Sequence, residues 1–107
     1  MASANEAVKN VAAQAARSGG WAAYETAFLE ADPRLGDAVA KLAGDGIGDI
    51  LVLPYFLTLG IHLQRDLPNL VEGLARRHAV SIRVAPPLDG HPELSRILVD
   101  RAREAEH

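Results

Sequence analysis

The run Asp49-Ile50-Leu51-Val52-Leu53 constrains this chain more than any other feature. Successive apolar residues without polar alternation read as a strand covered on both faces, the habit of parallel sheets. A parallel neighbour can be reached only through a crossover, usually a helix. Both flanks supply one. Asp32-Pro33 reads as an N-cap followed by proline in the first turn of a helix. That helix presents Leu35, Val39 and Leu42 and stops at Gly44-Asp45-Gly46. Downstream, Leu67, Leu70, Val71 and Leu74 mark a helix entered through Arg65-Asp66-Leu67-Pro68 and ending near Arg77-His78.

The rest of the chain continues the alternation. Ser3 and Glu6 form a capping box for a helix with Val8, Val11, Ala12 and Ala15 on one face. Residues 21–29 read as a strand, and residues 80–84 alternate as another. Pro86-Pro87-Leu88-Asp89-Gly90-His91-Pro92 is a rigid loop before a last helix with Leu94, Ile97, Leu98 and Ala102 inward. The order α-β-α-β-α-β-α implies an α/β fold, a parallel sheet with helices on both faces. No repeat or linker divides the sequence, so residues 1–107 are expected to form a single domain. Doubly wound domains usually open with a strand. This chain opens with a helix, and its first strand reads as missing.

Composition narrows function by exclusion. There is no cysteine, so thiolate metal sites, disulfides and cysteine nucleophiles are out. A net charge of −3 and 5% aromatics argue against a nucleic-acid partner. The Ala-rich N-terminus is broken by Asn5, Glu6, Lys9, Asn10 and Gln14, so neither a signal peptide nor a membrane span is expected, and a cytoplasmic location follows by default. None of the common dinucleotide, P-loop, zincin or nucleophile-elbow signatures occurs, which leaves no support for a nucleotide cofactor.

What remains is a histidine. In the segment LPYFLTLGIHLQRDLP, residues 53–68, His62 is expected on a loop at the carboxyl end of a strand, where open α/β sheets bind ligands. An imidazole there can ligate a metal or move a proton near neutral pH. Gly60 permits a tight turn, and Leu57, Leu59 and Ile61 would dry the site. Arg65 and Asp66 are near enough in sequence to orient the ring or receive an anion. Glu30, at the end of the expected 21–29 strand, should emerge at the same sheet edge and could share a divalent metal with His62. Its plain alternative is the start of a solvated loop. Tyr55 and Phe56 either wall a flat apolar ligand or pack in the core. His91 is favoured as a residue beside a helix cap, and His78 and His107 as helix-end and tail residues.

The same segment resembles the signature of the small sirohydrochlorin chelatases of the CbiX/SirB type, approximately V-P-x-F-L-x-x-G-x-H-x-x-x-D-[IL]-P. Ala27-Phe28-Leu29-Glu30 with Pro33 and Leu35 resembles the family's A-F-L-E…P-S-L segment. Ala85-Pro86-Pro87-Leu88-Asp89-Gly90-His91-Pro92 resembles its A-P-P-L-G-x-H-P segment. The resemblance implies a chelatase-type α/β fold and insertion of Co²⁺ or Fe²⁺ into sirohydrochlorin, for cobalamin or sirohaem, without a nucleotide. It maps His62 onto a catalytic, metal-binding histidine and Glu30 onto the acidic residue near the metal path. For such a polycarboxylate, Arg65 and Arg34 either anchor the rim or are plain solvated surface arginines, and the pigment plane is expected against the loop that holds Tyr55, Phe56 and Gly60. A homodimer is implied, since small chelatases resemble halves of larger two-lobed ones. The family's N-terminal H-G-S-[RP] motif has no counterpart, and the expectation is that the natural start lies upstream. The rivals are a non-catalytic tetrapyrrole- or metal-binding module, half of an oligomeric chelatase, and an interaction domain.

Overall fold

A computed structural model of the chain describes residues 4–106. The element order is α1 (Ala4–Gly19), α2 (Leu35–Gly44), β1 (Asp49–Val52), α3 (Ile61–His78), β2 (Ser81–Val84) and α4 (Glu93–Ala105). The two strands pair in parallel, joined by α3 as the crossover. The fold is thus α/β with a parallel sheet, as the alternation requires. The Ser3 cap lies outside the described residues.

Register sets the core. Ile50 pairs with Ile82 and Val52 with Val84, so these four share one face of the sheet. Against Ile50 and Ile82 α3 brings Leu74 and α2 brings Val39, while Leu67 and Val71 on the same stripe of α3, and Ala38 of α2, are also buried. Val39, Ile50 and Leu74 form the buried centre, with Leu35, Leu42, Ile47, Val80 and Ile82 packed around it. Each fully buried aliphatic of this size contributes about 1.5–3 kcal/mol.

Both core helices end in the same way, and each ending launches a strand. At α2, the Gly46 N–H donates to Ala43 O and the Ile47 N–H to Leu42 O, with Gly46 at φ +88°. At α3, the Ala79 N–H donates to Arg76 O and the Val80 N–H to Ala75 O, with Ala79 at φ +54°. These are paired Schellman closures. In each, the apolar residue just past the left-handed position (Ile47, Val80) folds back onto the core. The next hydrogen bond across them, Ser81 N–H to Gly48 O, starts the sheet.

Four sequence expectations are corrected. Residues 21–29 form no strand. Among the described residues their backbone bonds are Trp21 N–H to Ala16 O and Phe28 N–H to Pro33 O, neither part of a ladder, and β-propensity without a ladder partner gives no strand. The sheet therefore has two strands rather than three. The cap of α2 is not Asp32: Arg34 holds the cap position, where its N–H donates to the Asp37 carboxylate at 2.9 Å. Finally, α3 begins at Ile61, which leaves Pro68 inside it rather than at its entrance.

The helices outside the core are less covered than their patterns imply. Helix α4 has no buried residue, and Ile97 and Leu98 are 51% and 71% exposed rather than inward. On the sheet face away from α2 and α3, Leu51 lies beside Arg83, and it stays 44% exposed.

Candidate functional site

Parallel strands send their following loops to one edge, so the segments after β1 and β2 leave the sheet together. The Leu88 N–H donates to Phe56 O and ties them to each other. The first of these loops is apolar yet open to solvent. Tyr55 and Leu57 are 51% and 68% exposed, while Pro54 beneath them is buried.

The loop ends at Gly60, the N-cap of α3, whose carbonyl accepts the first helical bond from Gln64 N–H at 2.9 Å. His62 consequently sits in the first turn of α3, not on a loop ahead of it. The expected helix entrance was Arg65-Asp66-Leu67-Pro68. The helix instead starts at Ile61, about two turns before Pro68, and tolerates that proline at the loss of one backbone bond, since it offers Gln64 O no donor.

His62 is exposed, and its ring is not idle. Arg65 Nη2 lies 3.2 Å from His62 Nδ1, and Arg65 Nε donates to Asp66 Oδ1 at 3.0 Å. A guanidinium only donates, so Nδ1 is the acceptor and the neutral ring carries its proton on Nε2. Asp66, Arg65 and His62 thus form a chain of contacts along one helical turn, all three side chains open to solvent.

Glu30 lies elsewhere in character. It is on an exposed bend, closed by Phe28 N–H to Pro33 O and braced by Arg34 Nη1 donating to Leu29 O at 3.0 Å. Among the described residues Glu30 has no hydrogen-bond or ion-pair partner, and none of the hydrogen bonds or ion pairs joins it to His62. Arg34 is committed to this bend and lies 3.9 Å from Asp32. Among the described residues, no group of three or more His, Asp or Glu side chains is placed to hold a metal.

His91 emerges at the same edge, on the loop after β2. Its Nδ1 accepts from Glu93 N–H at 3.1 Å, the helix-start role expected of it. With Leu88, Glu93, Leu94 and Ile97 it lines an open, apolar hollow of about 230 Å³. The hollow beside His91 was not legible in the sequence, because three of its lining residues come from the following helix.

The family model of CbiX matches residues 1–105. The chain belongs to the CbiX family. A sirohydrochlorin cobaltochelatase from Methanopyrus kandleri is 28% identical over 94% of this CbiX chain and 85% of its own length. One from Sulfurisphaera tokodaii is 32% identical over 75% of this chain and 65% of its own length. The crystal structure of a CbiX protein from Marinobacter aquaeolei VT8 superposes with a TM-score of 0.73 at 29% identity, covering 96% of this chain and 88% of that one. The parallel α/β arrangement described above is that of a CbiX fold.

Proposed function

We propose that this CbiX protein inserts a divalent metal, Co²⁺ or Fe²⁺, into sirohydrochlorin without a nucleotide. The observation that carries the reading is His62: an exposed imidazole at the carboxyl edge of a parallel sheet, beside an exposed apolar loop, in a chain similar to cobaltochelatases. In this reading the pigment lies flat against Tyr55 and Phe56 where the backbone turns at Gly60, and its carboxylates meet Arg65. His62 gives the ion one nitrogen ligand. A single imidazole with open coordination positions holds an ion weakly enough to surrender it to four pyrrole nitrogens. Glu30 serves as a further oxygen ligand or accepts a pyrrole proton, a form of base assistance typically worth about 10²–10⁴-fold. For this role its bend must move toward the pigment.

The reading includes a second copy of the chain. The accessible surface is 7985 Å², against roughly 5,800 Å² for a compact monomer of 11.4 kDa. The Cα radius of gyration is 15.7 Å, against about 13 Å for that length. Exposed Leu51, Leu53, Ile97 and Leu98 account for part of this surplus and suit a partner's apolar surface.

The test is the absorbance of sirohydrochlorin with Co²⁺ or Fe²⁺, with and without protein. Acceleration by wild type, lost in His62→Ala, is the expected result. No acceleration with either ion refutes chelation, and binding without turnover favours a carrier role. If His62→Ala keeps the wild-type rate, His62 leaves the mechanism.

A further inference from the structure

We infer that Arg65 blocks the metal-accepting lone pair of His62 and must swing away before an ion can bind, an inference that rests on the metal-insertion reading above. The argument is one of donors and acceptors. In the observed contact, Arg65 Nη2 is 3.2 Å from His62 Nδ1, and Asp66 Oδ1 fixes the guanidinium from its other side through Nε at 3.0 Å. Two routes to metal ligation exist, one through each ring nitrogen. Through Nδ1, the ion needs the lone pair that the guanidinium already occupies. Through Nε2, the ring proton must first move to Nδ1, where it would point at an Arg65 N–H, donor against donor. Both routes require Arg65 to leave.

The three residues form one exposed unit, with Arg65 and Asp66 side chains 65% and 61% exposed, so the guanidinium is free to rotate outward without disturbing the core. Carboxylates of the incoming pigment offer a planar, charged acceptor that competes for it. Arg65 is then a positioning residue: it keeps His62 closed to ions in the empty protein and opens it as the pigment arrives. A released site with no competing bond binds more tightly, because the fraction of binding-competent rings rises.

The test is Co²⁺ titration of wild type and Arg65→Met, followed through paramagnetic broadening of the His62 ring proton, a signal assigned by its absence in His62→Ala. Arg65→Met is expected to bind Co²⁺ at His62 about three- to tenfold tighter, the span of one modest hydrogen bond. The gain should persist in 1 M NaCl, where charges are screened beyond about 3 Å. In the metal-insertion assay the same variant should show a lower KM for Co²⁺ and a higher KM for sirohydrochlorin. Equal affinities overturn the inference. A gain that vanishes in 1 M salt also overturns it, since simple charge repulsion then suffices. Failure of wild type to metallate sirohydrochlorin removes the function proposed above, and the Co²⁺ titration still decides whether Arg65 closes His62.

Discussion

Ala79 and Gly46 occupy equivalent positions in two helix closures, and exchanging their residue types should move stability in opposite directions. Ala79 sits at φ +54° and Gly46 at φ +88°, each just after a core helix and just before an apolar residue that packs on the core. A Cβ in the left-handed region costs roughly 1–2 kcal/mol. Glycine gives back about 0.5–1 kcal/mol through the greater freedom of its unfolded chain. Ala79 is exposed, so removing its methyl forfeits little burial. A Cβ added at Gly46 meets nothing within 4 Å, so the substitution there tests backbone conformation alone. Ala79→Gly should therefore stabilise by about 0.5–1 kcal/mol and Gly46→Ala should destabilise by a similar amount. Urea unfolding with a common slope measures both, and the double variant should fall close to wild type. If Ala79→Gly lowers the midpoint, the left-handed closure of α3 is not the strained feature claimed here.

The surplus of surface gives a prediction in solution. Covering the roughly 2,200 Å² excess on each of two chains falls in the range of obligate homodimers, so light scattering should return twice the 11.4 kDa chain mass; a monomer at micromolar concentration refutes it. The Lys41 ammonium is held above its ordinary value of 10.5, first by Glu25 and then by Asp45. A raised folded-state value means its contribution is full below the unfolded value and is lost as pH climbs through the folded one. The urea midpoint of wild type should drop more than that of Lys41→Met as pH rises past about 10.5, and parallel curves would refute the coupling. His62→Ala, at an exposed position, should leave the midpoint within about 0.5 kcal/mol of wild type while abolishing metal insertion.

The sequence made the core elements legible because their signals are periodic. Leu35, Val39 and Leu42 fall on one face of α2, and Leu67, Val71 and Leu74 on one face of α3, where packing and pattern agree. The apolar run at Ile50 was legible as a strand for a different reason, being short, unbroken and bounded by glycines and a proline. Residues 21–29 were not, since Tyr24, Thr26 and Phe28 satisfy β-propensity without supplying a neighbour to bond. The start of α3 was hidden by Pro68, whose usual place in a first turn drew the boundary too late. The end of α3 was legible near Arg77-His78, but its left-handed closure at Ala79 was not, because alanine is an ordinary helix residue. Of the candidate site, the proximity of Arg65 and Asp66 to the His62 ring was legible from their spacing in LGIHLQRDLP, but the helix that joins them was not. The late boundary put His62 on a loop ahead of α3, whereas the contact with Arg65 forms within one helical turn.

The placement of the candidate site follows from register rather than from any local motif. Because β1 and β2 run parallel with Val52 beside Val84, the two chain segments that follow them must emerge at one edge. One carries Tyr55, Phe56 and His62, the other Leu88 and His91, and the Leu88 N–H to Phe56 O bond locks them at 3.0 Å. A slip of one residue would turn Ile82 away from Leu74 and shift the second segment by about 3.3 Å along the sheet, breaking that bond. The core contact at Ile50, Ile82 and Leu74 is therefore what holds the loops in position. The residues that would touch ligand stay exposed and contribute little to folding, which leaves them free to make and break contacts such as Arg65 with His62.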